Sequence, residues 1–177
     1  MNGTPTAAPD VPAHAEALLR HFGDLRDGTH GHASSRQGKE SLFSEAVELL
    51  APYAVQALEE VNTYLLNGTG KVESTGVRRS ADGGVVALWT LTWPQQQAEG
   101  IEPVTIAAHY GRNFHHPHVR GATVSEWPLN IFDAQQAEAE LPTLRAIVAA
   151  DLHNLVFQRD FRIVPATVDP AGAGRNV

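Results

Sequence analysis

Between residues 41 and 66, Val47, Leu50, Ala54, Leu58, Val61 and Leu65 recur at three- and four-residue spacing, which predicts a long amphipathic helix. Asn67-Gly68 is its stop, and Pro52 inside the pattern predicts a kink or a break into two helices. The period then falls to two. Val85, Ala87, Trp89, Leu91 and Trp93 line one face of a strong strand that Pro94 ends. Lys71–Arg79 predicts a polar edge strand, and Ala81-Asp-Gly-Gly84 a turn. Residues 103–111 and 117–127 predict a third and a fourth strand.

From Asp133 the helical period returns. Leu144, Val148, Leu152 and Leu155 mark one stripe, and Ala146, Ala149, Ala150 and Phe157 a second. A helix apolar on most sides is buried in the fold or covered by a partner subunit, so self-association as a homo-oligomer is expected. Near the start, Ala15, Leu18, Leu19 and Phe22 predict a short helix over 13–22 that stops at Gly23, and residues 26–38 predict a loop or linker. The order of elements gives an α+β fold: an antiparallel four-stranded meander flanked by an N-terminal helix and a long, largely buried C-terminal helix. The expected organisation is a flexible segment over 1–38 (disordered over 1–12), a single α+β domain over 39–165 and a loose tail over 166–177.

Composition narrows the partners. The formal net charge of −7 argues against nucleic acid and anionic membranes, both of which need basic surface. No apolar run reaches membrane-spanning length. The first ten residues have neither the positive nor the apolar region of a secretory signal, so a cytoplasmic location is expected. With nucleic acid and membranes set aside, the expected partner is a small-molecule substrate. The chain has no cysteine, so a metal site has only His, Asp and Glu to draw on.

The densest chemistry lies in His109-Tyr-Gly-Arg-Asn-Phe-His-His-Pro-His118, which holds four of the nine histidines. Neutral imidazole is the commonest protein ligand for transition metals. If the third and fourth strands form a hairpin with a four-residue loop over Arg112–His115, Gly111 pairs with His116 and His109 with His118. His109, His116 and His118 then share one sheet face beside Thr105, Ala107 and Ala122, away from Ile106, Tyr110, Val119 and Trp127. An odd-length loop would break this register. Three imidazoles on one face suit Zn, Fe or Mn with a position open to water or substrate. Glu126, Asp151 and His153 are the candidate acid–base residues, although His153 points away from Asp151 around its helix. Asp151 sits on an apolar stripe, where a carboxylate needs a partner. Arg120 is a candidate clamp for a substrate carboxylate. Trp89 is core or the wall of a substrate pocket. His30-Gly-His32 falls in the 26–38 loop.

The stretch Gly111, His116-Pro-His118, Glu126 is similar in part to the first motif of the cupin family, in which a glycine leads to His-x-His and then a glutamate. The spacing is shorter before the pair and longer after it than in that family, and no second motif follows. The likeness implies only that His-x-His on a strand can hold a metal. Three functional expectations follow. The first is a metal-dependent oxygenase, lyase or hydrolase using His109, His116 and His118. The second is a non-catalytic binding or partner subunit. The third is a metal-free enzyme using the histidines as general acid and base.

Overall fold

The computed structural model describes residues 10–168. The disorder expected over 1–12 and the loose tail over 166–177 fall largely outside them. The chain forms α1 (Ala13–Asp27), α2 (Arg36–Leu65), β1 (Lys71–Ser74), β2 (Arg78–Arg79), β3 (Val85–Thr92) and α3 (Pro94–Ala98). It continues with β4 (Val104–Tyr110), β5 (His118–Arg120), β6 (Trp127–Pro128), α4 (Ala134–Ala139), α5 (Leu141–Gln158), a 3₁₀ turn (Phe161–Ile163) and α6 (Pro165–Val168). The fold is α+β, with one antiparallel sheet in the order β1-β3-β4-β5-β6 and β2 paired with the other end of β3.

The sheet has six strands where the sequence pattern predicts four. The polar 71–79 segment divides because Gly76 takes a left-handed conformation (φ 64°) and lifts the chain off β3 between the Ser74 and Arg78 pairings. The expected fourth strand also divides. β5 is three residues long, and the chain folds back so that Trp127 pairs with Val119.

Burial is decided by alternation. On β3, Val85, Ala87, Trp89 and Leu91 face the core, and on β4 so do Val104, Ile106, Ala108 and Tyr110. Helices α2 and α5 cover this face with Leu50, Leu58, Leu144 and Val148. Pro52 does not break α2, which runs unbroken for 30 residues. An interior proline costs about 3 kcal/mol. Burial of Phe43, Leu50, Ala54 and Leu58 along one helix face outweighs it. Trp89 is 2% exposed and belongs to this core, so the pocket-wall role that the sequence also allowed is not met. On α5, Leu144, Val148 and Leu152 of the first predicted stripe are buried and Leu155 partly so; of the second, Ala150 is partly buried, Ala146 and Ala149 are exposed, and Phe157 is 85% exposed.

Helix α1 runs through Gly23 and ends at Gly28, which adopts the left-handed C-cap (φ 71°). It is pinned by hydrogen bonds from Arg20 to the Asn130 Oδ1 and carbonyl, and from Asn130 Nδ2 to Asp24 Oδ2. The loop expected over 26–38 is shorter, 28–35, because α1 runs on to Asp27 and α2 begins at Arg36; Asp24 holds it by accepting from Thr29 Oγ1 and the Gly31 N–H.

Asp151 is buried on α5 and its carboxylate accepts from the Ala122 and Thr123 N–H groups, both at 2.8 Å. Its partner is the turn after β5, where a Cβ at Gly121 would collide with the same carboxylate. Removing the acceptor leaves two backbone donors without a partner. Asp151→Ala is expected to cost about 2–3 kcal/mol in urea unfolding, and the exposed His153→Ala less than about 0.5 kcal/mol. Equal, small effects would rule out Asp151 as the anchor of this turn.

Candidate metal centre

Strands β4 and β5 pair Ala107 with Arg120, Ala108 with Val119 and His109 with His118. This is the register that the hairpin argument requires. Because Ala108 and Val119 are core, His109 and His118 point to the opposite face, with ring centroids 5.8 Å apart. The third group on this face is a carboxylate. Glu126 Oε2 lies 3.3 Å from His109 Nε2 and 3.6 Å from His118 Nδ1. Among the described residues, these three side chains form a group whose potential ligand atoms all lie within 4.8 Å of one another. Both imidazole nitrogens are buried, and neither makes a well-formed hydrogen bond. Burial holds the pKa of each ring below the ordinary histidine value, against the opposing pull of the Glu126 charge. Neutral imidazoles with free lone pairs are the form that binds metal.

Local structure delivers each ligand. The Asp151-held turn, closed by Gly121 N–H to the Val124 carbonyl at 2.9 Å, returns the chain so that Glu126 reaches the histidines. The 111–117 loop is gathered by Arg36 at the start of α2. Its guanidinium stacks 3.6 Å above the Tyr110 ring and donates to the carbonyls of Tyr110 and Gly111, both at 2.9 Å, and to those of Arg112 and Phe114. Lys39 adds bonds to the Gly28 and His115 carbonyls at 3.2 Å. The loop folds Phe114 back over the site, 5.7 Å from the His109 ring and 5.6 Å from His118. A Cβ at Gly111 would meet that phenyl ring at 2.6 Å, so the close approach needs glycine.

His116 is not part of this group. The sheet ladder ends at the His109–His118 pair, because Pro117 has no N–H to extend it and the Arg36 and Lys39 bonds draw the loop carbonyls away. His116 is buried under the loop with Nε2 2.8 Å from the Thr29 carbonyl. There it packs edge-on to His21, centroids 5.1 Å apart, and 6.2 Å from His30. This second cluster of histidines, on α1 and the 28–35 loop, escaped the sequence pattern. No sequence signal pointed to it: the apolar face expected for α1 held Leu19 and Phe22, which are exposed, and the structure buries Ala17 and His21 instead.

Of the remaining candidates, Arg120 lies next to the site on β5 and is near enough to repel a proton from His109. Asp151 acts one step back, through the turn. His153 is exposed, its Nδ1 3.1 Å from Asn154 Oδ1 on the outer side of α5, and takes no part. A groove of about 380 Å³ reaches His109 and Glu126 and is walled by Val86, Phe114, Asp82 and Arg120. Asp82 is committed to its turn, accepting from the Gly84 and Arg112 N–H groups.

Comparison with known protein families, with curated proteins and with solved structures finds no match. The chemistry of this centre therefore rests on its own geometry.

The second cluster has a consequence for stability. His30 is 1% exposed and both ring nitrogens lack a hydrogen bond. Burial pushes its pKa down to about 4; Asp24 opposes this, while His116, Lys39 and His21 add to it. In the unfolded chain a histidine titrates near 6.5. As pH falls the unfolded state takes up the proton first. The stabilisation is thus complete above about pH 6.5 and is lost progressively as pH falls to about 4, by about 3 kcal/mol. Urea unfolding at several pH values should show His30→Gln losing less stability than the parent across that window. Parallel curves would contradict the burial of a neutral ring.

Proposed function

We propose that the protein is a metal-dependent enzyme that holds one divalent transition-metal ion through His109 Nε2, His118 Nδ1 and Glu126 and acts on a small organic anion. The observation that carries this reading is the convergence of two buried imidazole nitrogens, without hydrogen bonds, on one carboxylate oxygen. Ligands about 2.0–2.2 Å from a common ion lie about 3–4 Å from each other. The 3.3 and 3.6 Å separations fit that requirement. Two histidines and one carboxylate leave coordination positions open, an arrangement used by Fe(II) oxygenases and zinc hydrolases alike. When bound, such an ion supplies a Lewis acid or an activated water or O₂.

The chain's own residues supply the rest. Phe114 shields the two imidazoles from water. Arg120 orients the anionic part of the substrate from the neighbouring row of the sheet. The ligand set differs from three histidines by exchanging His116 for Glu126, which lowers the charge of the occupied site by one and favours Fe, Mn or Zn over softer ions.

Elemental mass spectrometry of untagged protein tests the assignment. The parent should carry close to one ion per chain after incubation with Zn²⁺, Fe²⁺ or Mn²⁺. His109→Ala and His118→Ala should lose it, Glu126→Ala should weaken binding by more than the roughly 10- to 100-fold that loss of an outer-shell partner costs, and His116→Ala should retain it. A parent that stays metal-free, with activity insensitive to chelation, would replace this reading by acid–base catalysis on the His109–Glu126 pair.

A further inference from the structure

The face of the sheet that carries the metal centre continues past it. In register with His109 and His118 is Val86; the next row is Leu88, Ala107 and Arg120; the row after that is Thr90 and Thr105, whose hydroxyls are 3.3 Å apart. None of these side chains belongs to the helix-covered core. A second hollow of about 410 Å³ lies over the later rows, floored by Leu88, Ala107 and Thr105 and walled by Pro103, Ala122 and Ser125. Arg120 lines both hollows. It is the one lysine or arginine among their lining residues; it is exposed to solvent, and among the described residues its guanidinium has neither an ion pair nor a hydrogen bond to protein. Alternate residues of a strand are about 6.8 Å apart, so the path from His109 past Ala107 to Thr105 spans about 13 Å.

We propose that the second hollow is a tail site and that the substrate is an amphipathic carboxylate. Its head sits on Arg120 beside the metal. Its aliphatic or aryl tail, of about six carbons over the remaining 7 Å or so, lies on Leu88 and Ala107 and ends against Pro103, near Thr105. One unpaired guanidinium matches one carboxylate through two parallel hydrogen bonds. A phosphate would call for further donors, and the lining residues offer no second cation. The small side chains at Ala107 and Ala122 leave the floor open to the tail, and the apolar Leu88 and Pro103 favour methylene over water.

The placement of the head rests on the metal reading; the tail site does not, and the test separates them. Calorimetric titration with acetate, hexanoate and octanoate is made on metal-loaded protein and on His109→Ala, with metal content read on the same samples. Octanoate is expected to bind at least tenfold more tightly than acetate. Arg120→Ala should weaken every carboxylate about tenfold. Ala107→Leu, and independently Ala122→Leu on the exposed wall, should remove the octanoate advantage and leave acetate unchanged. Thermal melting confirms that each variant is folded. Equal affinity for acetate and octanoate, or indifference to Arg120→Ala, in metal-loaded protein overturns the tail site. Chain-length and Arg120 dependence in a protein that takes up no metal would uphold the tail site and remove the metal reading alone.

Discussion

Everything at the candidate centre depends on the burial of one face of one sheet. Trp89, Ile106, Tyr110 and Val119 have only one place to go, against Leu50, Leu58, Leu144 and Val148 on α2 and α5. Side chains on a strand alternate, so a slip by one residue would expose the whole apolar set. The register is therefore fixed by the core, and the direction of His109 and His118 follows from it without any interaction of their own. Two imidazoles are held side by side on the open face because their neighbours Ala108 and Val119 are buried on the other.

The polar clamps act on a framework already set. Arg36 and Lys39 stand at the first turn of α2 and gather the backbone carbonyls of the 111–117 loop. These carbonyls have no ladder to join once Pro117 interrupts pairing, and an unpaired buried carbonyl is costly. The same clamps turn Phe114 over His109 and His118 and send His116 under the loop to His21 and His30. Asp151 does the equivalent on the other side, holding the turn that brings Glu126 home. Three charged groups on two helices, Arg36 and Lys39 on α2 and Asp151 on α5, thus shape the two loops that complete the centre.

The arrangement divides the histidines into two chemical environments a few ångströms apart. His109 and His118 face a half-exposed carboxylate at the edge of a groove, where an ion could take up their lone pairs. His30 and His116 are enclosed, and His116 spends a ring nitrogen on the Thr29 carbonyl. His21 stands between, its ring 6.3 Å from His118. A cluster that is continuous in sequence is therefore split in space, and only the pair held on strands stays with the open sheet face.

The sequence alone determined what depends on local period. The alternation over 85–93 and 103–111 set the sheet faces, the three-and-four spacing set α2 and α5, and together they gave an α+β fold; His109 opposite His118 followed only on the condition of a four-residue hairpin loop, and the pairing itself came from the structure. It also singled out Arg120 and the carboxylate on an apolar stripe that must find a partner, and named Glu126 as an acid–base candidate but placed it far along the strand from the histidines. Tertiary structure decided what depends on contacts between distant segments. The clamp from Arg36, 75 residues away from Gly111, ended the strand before His116. The backbone N–H groups at 122 and 123 claimed Asp151, and the fold-back at β6 brought Glu126 into the place expected for a third histidine. Periodicity records which side of an element is buried. It carries no information about which loop a distant arginine will hold, because that energy belongs to a pair of segments and not to either one.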